Sequence, residues 1–224
     1  MSDPAARSPA VRPRDAATLI LVRRDGPAPQ LLMGRRHAGH DFMPNLWVFP
    51  GGRVERADAA APCATPLRPE VAAVFDAHCK PGRGRAIALA GVRETFEEAG
   101  LVLGLPGPPR PAAGEWRGFL ALGALPDLDA IDIVGRAITP PGRAKRFDTW
   151  FLMAEAGRLR SSEPGPGCGE LDQIAWLTFD EAMALPIHAV TRQMIGEALA
   201  RLSEPDRPRP FLRTHRNVRR SSHL

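Results

Sequence analysis

The chain has 224 residues and 44% apolar content, which suffices to bury the core of one domain with additions. No apolar run approaches the roughly 20 residues of a membrane-spanning helix, and residues 1–14 lack the apolar centre of a signal peptide. The odd number of cysteines (Cys63, Cys79 and Cys168) argues against a disulfide framework. We therefore expect a cytoplasmic protein without a membrane partner.

The first part of the chain predicts strands followed by a turn-rich segment. Residues 1–15 are rich in Pro, Ala and Arg and are expected to be disordered. Apolar runs then predict a hairpin of two strands and a third short strand that ends in a Pro-Gly-Gly turn: Ala16–Arg23, Gln30–Arg36 and Leu46–Glu55. Residues 56–85 hold Pro and Gly turns around a predicted helix from Glu70 to Cys79, and we expect them to form a lid beside a site.

The stretch from Arg93 to Leu101 combines three glutamates with a helical pattern. At about 100° per residue, Glu94, Glu97 and Glu98 share one side of a helix. The other side is apolar and is formed by Ala88, Leu89, Val92, Phe96 and Ala99. Carboxylates so close together raise each other's pKa unless a cation intervenes, and Mg²⁺ or Mn²⁺ suits an all-oxygen site. The alternative is a solvated acidic face.

The second half predicts further alternation of helices and strands in a single domain of residues 16–203. A weak helix, two strands and two helices follow one another: Glu115–Leu122, Lys145–Glu155, Gln173–Leu177, a helix beginning at Thr178 or Asp180, and Ala189–Leu202. This interleaving is typical of an α/β fold.

Trp47-Val48-Phe49-Pro50-Gly51-Gly52, followed by the Arg93–Leu101 stretch, resembles the Nudix box. In that family the pattern is Gly, five residues, Glu, seven residues, then Arg-Glu-aliphatic-any-Glu-Glu-any-Gly-aliphatic. Thr95 replaces the aliphatic residue, and the segment from Gly52 to Arg93 is 41 residues instead of 14, or 27 longer. Counting back from Arg93, the box glutamate is absent because Arg85 occupies its position, and only Glu55 or Glu70 could replace it through the inserted loop.

The resemblance implies an α/β/α sandwich around a mixed sheet, with a helical insertion inside the box. It also implies a pyrophosphohydrolase that uses Mg²⁺ or Mn²⁺ to cleave a nucleoside diphosphate linked to another moiety. Glu94, Glu97, Glu98 and the Gly51 carbonyl would be the metal ligands, with Glu97 and Glu98 as the main pair. Arg93 would position Glu97.

The split box resembles the branch of peroxisomal coenzyme A diphosphatases and their bacterial relatives, which implies coenzyme A or acyl-coenzyme A as substrate. Arg35, Arg36, Arg143 and Arg146 are candidates for contacts with substrate phosphates. Glu170 is the preferred general base, with Glu163 as the alternative. His37 and His40 flank a glycine and are expected to be surface residues.

Other functions remain as alternatives: an ADP-ribose or NADH-type pyrophosphatase, a non-catalytic Nudix-fold ligand-binding protein, or an RNA-binding protein. The intact helix glutamates favour an enzyme. Residues 204–224 form a basic tail, since the last eighteen residues hold six arginines and no acid while residues 1–206 carry a net charge of −1. We expect this tail to be solvated or to dock a second copy in a homodimer, and we do not expect nucleic-acid binding.

Overall fold

The computed structural model describes residues 11–39, 44–112, 114–215 and 218–224. Within these residues the strands are β1 (Arg14–Arg23), β2 (Gln30–Arg36), β3 (Trp47–Val48), β4 (Gly51–Arg53), β5 (Gly104–Pro106), β6 (Ala124–Pro126), β7 (Asp132–Ile138), β8 (Phe147–Glu155), β9 (Leu171–Thr178), β10 (Pro210–His215) and β11 (Val218–His223). The helices are α1 (Arg56–Ala60), α2 (Pro69–His78), α3 (Arg83–Ala99), α4 (Arg117–Ala121), α5 (Phe179–Ala184) and α6 (Ala189–Ser203). Short 3-10 turns occur at Gly114–Trp116, Leu128–Ala130 and Ala156–Arg158.

In the described part of the chain, nine strands form one mixed sheet with the order β11-β10-β7-β8-β1-β2-β3, in which β4 also pairs with β1 and β9 with β2. The central strand β1 runs parallel to β8 and antiparallel to β4 and β2. Gly51 and Gly52 lie opposite Thr18 and Ala17 of β1. The Pro-Gly-Gly stretch therefore leads into a strand, and the predicted turn at these glycines is wrong.

The predicted α/β/α arrangement is confirmed by the alternation of buried residues along β1. Leu19 and Leu21 pack in one core with the apolar side of α3. Ile20 and Val22 pack in a second core with α5 and α6 on the other face of the sheet. Successive side chains of a strand point to opposite faces, so the buried residues 19–22 of one strand supply both cores. No helix among the described residues is long and apolar enough to cross a membrane.

The segment 56–85 folds as α1 and α2 followed by the start of α3. Helix α2 buries Val71 and Phe75, and the Phe75 ring lies 4.6 Å from the ring of Trp150 in β8. Gly84 of α3 permits this packing, because a Cβ there would come within 2.3 Å of the Phe75 side chain. Helix α2 thus packs on the protein core, and the lid or collar expected for residues 56–85 stays a prediction.

The two chain ends differ from the expectation. Arg14 and Asp15 belong to β1, so the segment predicted as disordered through residue 15 enters the sheet at its end, and residues 1–10 lie outside the described residues. Much of the basic tail forms β10 and β11, with β10 parallel to β7. Phe211 and Leu212 are buried. The expectation of a solvated tail is therefore wrong for β10, whose apolar residues anchor it to the sheet, whereas Val218 of β11 is exposed and docking of a second copy stays a prediction.

Candidate functional site

The acidic helix α3 lies against the sheet as predicted. Its apolar side is buried, and it ends at Gly100, whose φ of 69° suits a residue without a side chain. Thr95 is fully buried, and its hydroxyl donates to the Gly91 carbonyl at 2.8 Å. This bond satisfies the one polar atom that distinguishes Thr95 from the aliphatic residue of the box, so the departure at this position leaves the helix intact.

Arg93 organises the site from the middle of α3. Its guanidinium is almost fully buried and donates to three carboxylates and one carbonyl. Nε and Nη2 donate to the two oxygens of Asp58 at 2.8 and 3.1 Å, and Nη2 also donates to the Arg53 carbonyl at 2.9 Å. Nη1 donates to Glu94 at 2.8 Å and to Glu97 at 3.0 Å. Burial lowers the pKa of Arg93, but these ion pairs outweigh it and raise the pKa above its usual range.

Asp58 is the residue that sequence reasoning missed. It is fully buried in α1, six residues after Gly52, which is the position of the box glutamate when the pattern is counted forward from that glycine. The 27 extra residues therefore lie between Asp58 and Arg93. Counted backward from Arg93, across the insertion, the same box position falls on Arg85. Arg85 instead donates to the carbonyls of Ala59 and Ala61.

Glu98 is buried between α3 and β4. Its Oε2 accepts a hydrogen bond of 2.8 Å from the Gly51 backbone N–H. Its Oε1 is buried and has no hydrogen-bond partner in the part of the chain that the structure describes. Burial raises the pKa of Glu98 to about 8, although the Gly51 N–H lowers it. A buried carboxylate oxygen without a partner costs free energy unless a cation or proton compensates it.

Glu94 and Glu97 flank Glu98 and share Arg93. Glu94 lies directly over Gly52, where an added Cβ would approach its carboxylate to 2.4 Å. Burial raises the pKa of Glu94 to about 7, against the opposing effect of Arg93, and burial also raises the pKa of Glu97. With Asp58, three carboxylates therefore surround the Arg93 guanidinium. This excess of negative charge favours a divalent cation.

Within the described ranges, no three His, Cys, Asp or Glu side chains are arranged closely enough to hold a metal ion as they stand, so only their donor chemistry speaks for one. One oxygen of Glu94 and one of Glu97 accept from Arg93, which leaves each carboxylate a second oxygen. The orphaned Oε1 of Glu98, the like charges and the all-oxygen donor set fit a hard divalent ion. The residues present therefore suit Mg²⁺ or Mn²⁺.

The candidate phosphate-binding arginines occupy different places. Arg36 lies close enough to Glu98 to lower its pKa against the dominant effect of burial, and its Nη1 is 4.0 Å from Glu170. Arg35 points to the other face of β2 and binds both oxygens of Asp172 at 2.9 and 3.0 Å.

Arg146 binds backbone carbonyls of the same chain. It donates to the carbonyls of Thr139 and Val11 at 3.0 and 2.6 Å, which ties the loop after β7 to the start of the described chain. Arg143 is an exposed residue of the same loop. No contact of Arg35, Arg143 or Arg146 with the three glutamates is observed among the described residues, so the geometry brings only Arg36 to the site.

Glu170 is the better placed of the two predicted bases. Besides burial, its negative charge contributes to the raised pKa of both Glu94 and Glu98. Glu163 is exposed in the preceding loop. Glu115, which the sequence did not single out, similarly contributes to the raised pKa of Glu97 after burial. His37 is exposed, as expected, and His40 lies outside the described residues.

A groove of about 330 Å³ opens beside β4 and is lined by Pro13, Arg14, Asp15, Arg53, Val54, Glu55 and Arg83. Arg53 pairs with Glu55 at 3.0 Å, and Arg83 pairs with Asp15 at 2.5 Å. Three arginines against two acids leave the groove only weakly positive, so it offers no strong anion site.

Comparison with known proteins finds a curated relative by sequence and several similar solved structures. No family profile matches the chain. It is 32% identical over 205 aligned residues to the acyl-coenzyme A diphosphatase NUDT19 of Gallus gallus, covering 62% of this chain and 54% of that protein. The chain thus spans about half the length of this curated relative.

Two solved structures are similar to the protein. A NUDIX hydrolase from Alicyclobacillus acidocaldarius superposes with a TM-score of 0.61 and 25% identity, covering 83% of this chain and 90% of that one. The NUDIX domain of Shewanella oneidensis NrtR, in complex with ADP ribose, has a TM-score of 0.52 and 14% identity, covering 86% and 90%. The second likeness shows the fold alone.

Proposed function

Because the chain belongs to the Nudix hydrolase family, we propose that it is a Mg²⁺- or Mn²⁺-dependent pyrophosphohydrolase. Its substrate is a nucleoside diphosphate linked to another moiety. The observation that carries the proposal is the buried Glu98 carboxylate, whose Oε1 has no hydrogen-bond partner among the described residues and which lies close enough to Glu94 for the two negative charges to repel each other. A protein that did not bind a cation here would gain stability by replacing Glu98 with an apolar residue.

Glu94, Glu97 and Glu98, with the Gly51 carbonyl, would hold the ion. A divalent ion at this place neutralises the charge of diphosphate oxygens and lowers the pKa of a coordinated water. Arg93 keeps Glu94 and Glu97 in fixed orientations through its Nη1 bonds of 2.8 and 3.0 Å. Arg36 adds a positive charge on the same side and is the arginine best placed to bind a substrate phosphate.

Hydrolysis forms a bond between a water oxygen and one phosphorus, and it breaks the bond from that phosphorus to the bridging oxygen. The bridging oxygen leaves on the second phosphate, and the proton of the attacking water passes to a base. Glu170 is our candidate for that base, because it lies near Glu94 and Glu98 and its side chain remains half exposed to solvent. Glu170→Gln is expected to lower kcat, whereas Glu163→Gln is expected to leave it unchanged.

Coenzyme A or an acyl-coenzyme A is the substrate that we propose within this class. Two observations support it: the curated relative is named an acyl-coenzyme A diphosphatase, and the box is split by the inserted segment. An ADP-ribose or NADH-type pyrophosphatase is the alternative. The two classes of substrate differ in the group beyond the second phosphate, so an assay of several substrates distinguishes the two activities.

The test is a product assay with Mg²⁺ or Mn²⁺ on coenzyme A, acyl-coenzyme A, ADP-ribose, NADH, diadenosine polyphosphates and nucleoside triphosphates. We expect cleavage at the diphosphate, loss of activity with chelator, and a large loss of kcat in Glu98→Gln. Glu204→Gln is the matched control, because Glu204 is an exposed carboxylate that pairs only with Arg207 at 3.4 Å. If no panel member is cleaved faster by the unaltered protein than by Glu98→Gln, the proposed function is wrong.

A further inference from the structure

Trp116 lies outside the Nudix box, yet its indole contacts a side chain that binds Arg93. It ends the 3-10 turn Gly114–Trp116 and is 3% exposed. Its Nε1–H donates to Oδ1 of Asp58 at 3.0 Å. Asp58 belongs to the segment before α2, so the bond joins two parts of the chain 58 residues apart in sequence.

The fully buried Asp58 carboxylate accepts four hydrogen bonds. Oδ1 accepts from Trp116 and from Arg93 Nε, and Oδ2 accepts from Arg93 Nη2 and from the Glu55 backbone N–H at 2.8 Å. The Nη1 atom of Arg93 donates to Glu94 and to Glu97. A continuous path of charge-assisted hydrogen bonds therefore runs from the indole to two of the three helix glutamates.

Packing alone does not account for a tryptophan at this position. The Trp116 ring meets Phe119 edge to face at 5.4 Å, and Phe119 meets Phe96 in the same way at 5.5 Å. A phenylalanine could make such a contact. What only the indole adds is the N–H that fixes the Asp58 carboxylate.

We infer that Trp116 is a positioning residue for the glutamate site: it holds Asp58, which holds Arg93, which orients Glu94 and Glu97. The inference rests on the proposed function, because it concerns the same cation site. Residues that orient metal ligands through one intermediate contact typically change metal affinity or activity about 10- to 100-fold when removed. Here the path has two intermediate residues, so we expect the lower end, about tenfold.

The test compares Trp116→Phe with the unaltered protein by calorimetric titration of Mn²⁺ without substrate. We expect Mn²⁺ to bind about tenfold more weakly and kcat to fall with KM little changed. Trp150→Phe is the matched control, since Trp150 is a fully buried tryptophan that contacts Phe75 and Arg136. It should lower thermal stability and leave Mn²⁺ affinity unchanged.

A double-mutant cycle separates positioning from general damage. If Trp116 acts through Asp58, then Trp116→Phe should weaken Mn²⁺ binding little further in an Asp58→Ala background. Additive losses, or an unchanged Mn²⁺ affinity in Trp116→Phe, overturn the inference and leave the proposed function standing. Failure of the unaltered protein to bind Mn²⁺ overturns both.

A measurement on the unaltered protein keeps the inference testable if Trp116→Phe does not fold. The indole N–H resonance of Trp116, assigned through its proximity to Phe119, should shift when Mg²⁺ is added. The indole resonance of Trp150 should stay in place. A Trp116 resonance that does not move while Mg²⁺ binds contradicts the inference.

Discussion

Replacing Asp58 with alanine removes the main partner of a buried guanidinium. Asp58 is fully buried and Arg93 is 2% exposed, so water cannot take the place of the lost carboxylate without opening the structure. The change also leaves the indole N–H of Trp116 without its acceptor. Asp58→Ala should therefore destabilise the fold as well as the site.

The decrease in the free energy of unfolding of Asp58→Ala depends on the partners that Arg93 retains. Removing one member of a buried ion pair costs about 3–5 kcal/mol. Arg93 retains Glu94, Glu97 and the Arg53 carbonyl, which places the expected loss near the lower end, about 3 kcal/mol. For a domain of this size each kcal/mol shifts Tm by about 2–4 °C, so we expect Tm to fall by roughly 6–12 °C.

Thermal denaturation followed by circular dichroism measures this shift, with Asp172→Ala as the matched control. Asp172 also binds an arginine through both oxygens, at 2.9 and 3.0 Å, but the pair is exposed. An exposed pair contributes about 0–1 kcal/mol. If Asp58→Ala and Asp172→Ala lower Tm by similar small amounts, burial does not set the strength of the Asp58–Arg93 pair and the reasoning is refuted.

Three further predictions concern the site. Gly52→Ala should displace the Glu94 carboxylate, because a Cβ at this position would approach it to 2.4 Å. We expect Mn²⁺ binding, measured by calorimetry, to weaken about 10- to 100-fold. Unchanged affinity would show that Glu94 does not need this position. Burial raises the pKa of Glu94 to about 7 and that of Glu98 to about 8, so the folded protein keeps protons that the unfolded chain releases near 4.5. Stability without metal should therefore fall as pH rises from 5 to 8, and Mg²⁺ should raise Tm most at pH 8; a flat Tm profile in thermal denaturation would contradict this. Arg36→Ala should raise KM in the product assay, whereas Arg35→Ala should not, and equal effects would show that both arginines reach the substrate.

The acidic helix could be predicted from sequence because its information is local. The 3.6-residue period places Glu94, Glu97 and Glu98 on one side of α3 and its apolar residues on the other, and the structure has both. The sequence could not show that Glu98 would be buried, since that depends on β4 lying over the end of the helix and donating the Gly51 N–H.

Long-range pairing accounts for the expectations that failed. Strand β10 lies in a segment whose arginines dominate its composition, and only its place beside β7 shows that Phe211 and Leu212 are core residues. Arg35 and Arg36 are equivalent in sequence, but the alternation of β2 sends one to Asp172 and the other toward Glu98. The role of Asp58 could have been predicted from the sequence, because Asp58 follows Gly52 at the spacing of the box glutamate.

The ion pair of Asp58 and Arg93 also closes a loop of the chain. The two residues are joined side chain to side chain at 2.8 Å, and residues 59–92 form the loop between them. Loop-closure entropy grows only with the logarithm of length, so a ring of 34 residues in place of the family's seven costs about 1.4 kcal/mol more. Burial of Val71 and Phe75 by that loop can offset a cost of this size. The distance in sequence between the halves of the box is therefore free to change in evolution, provided that the acid and the arginine at the two ends still meet.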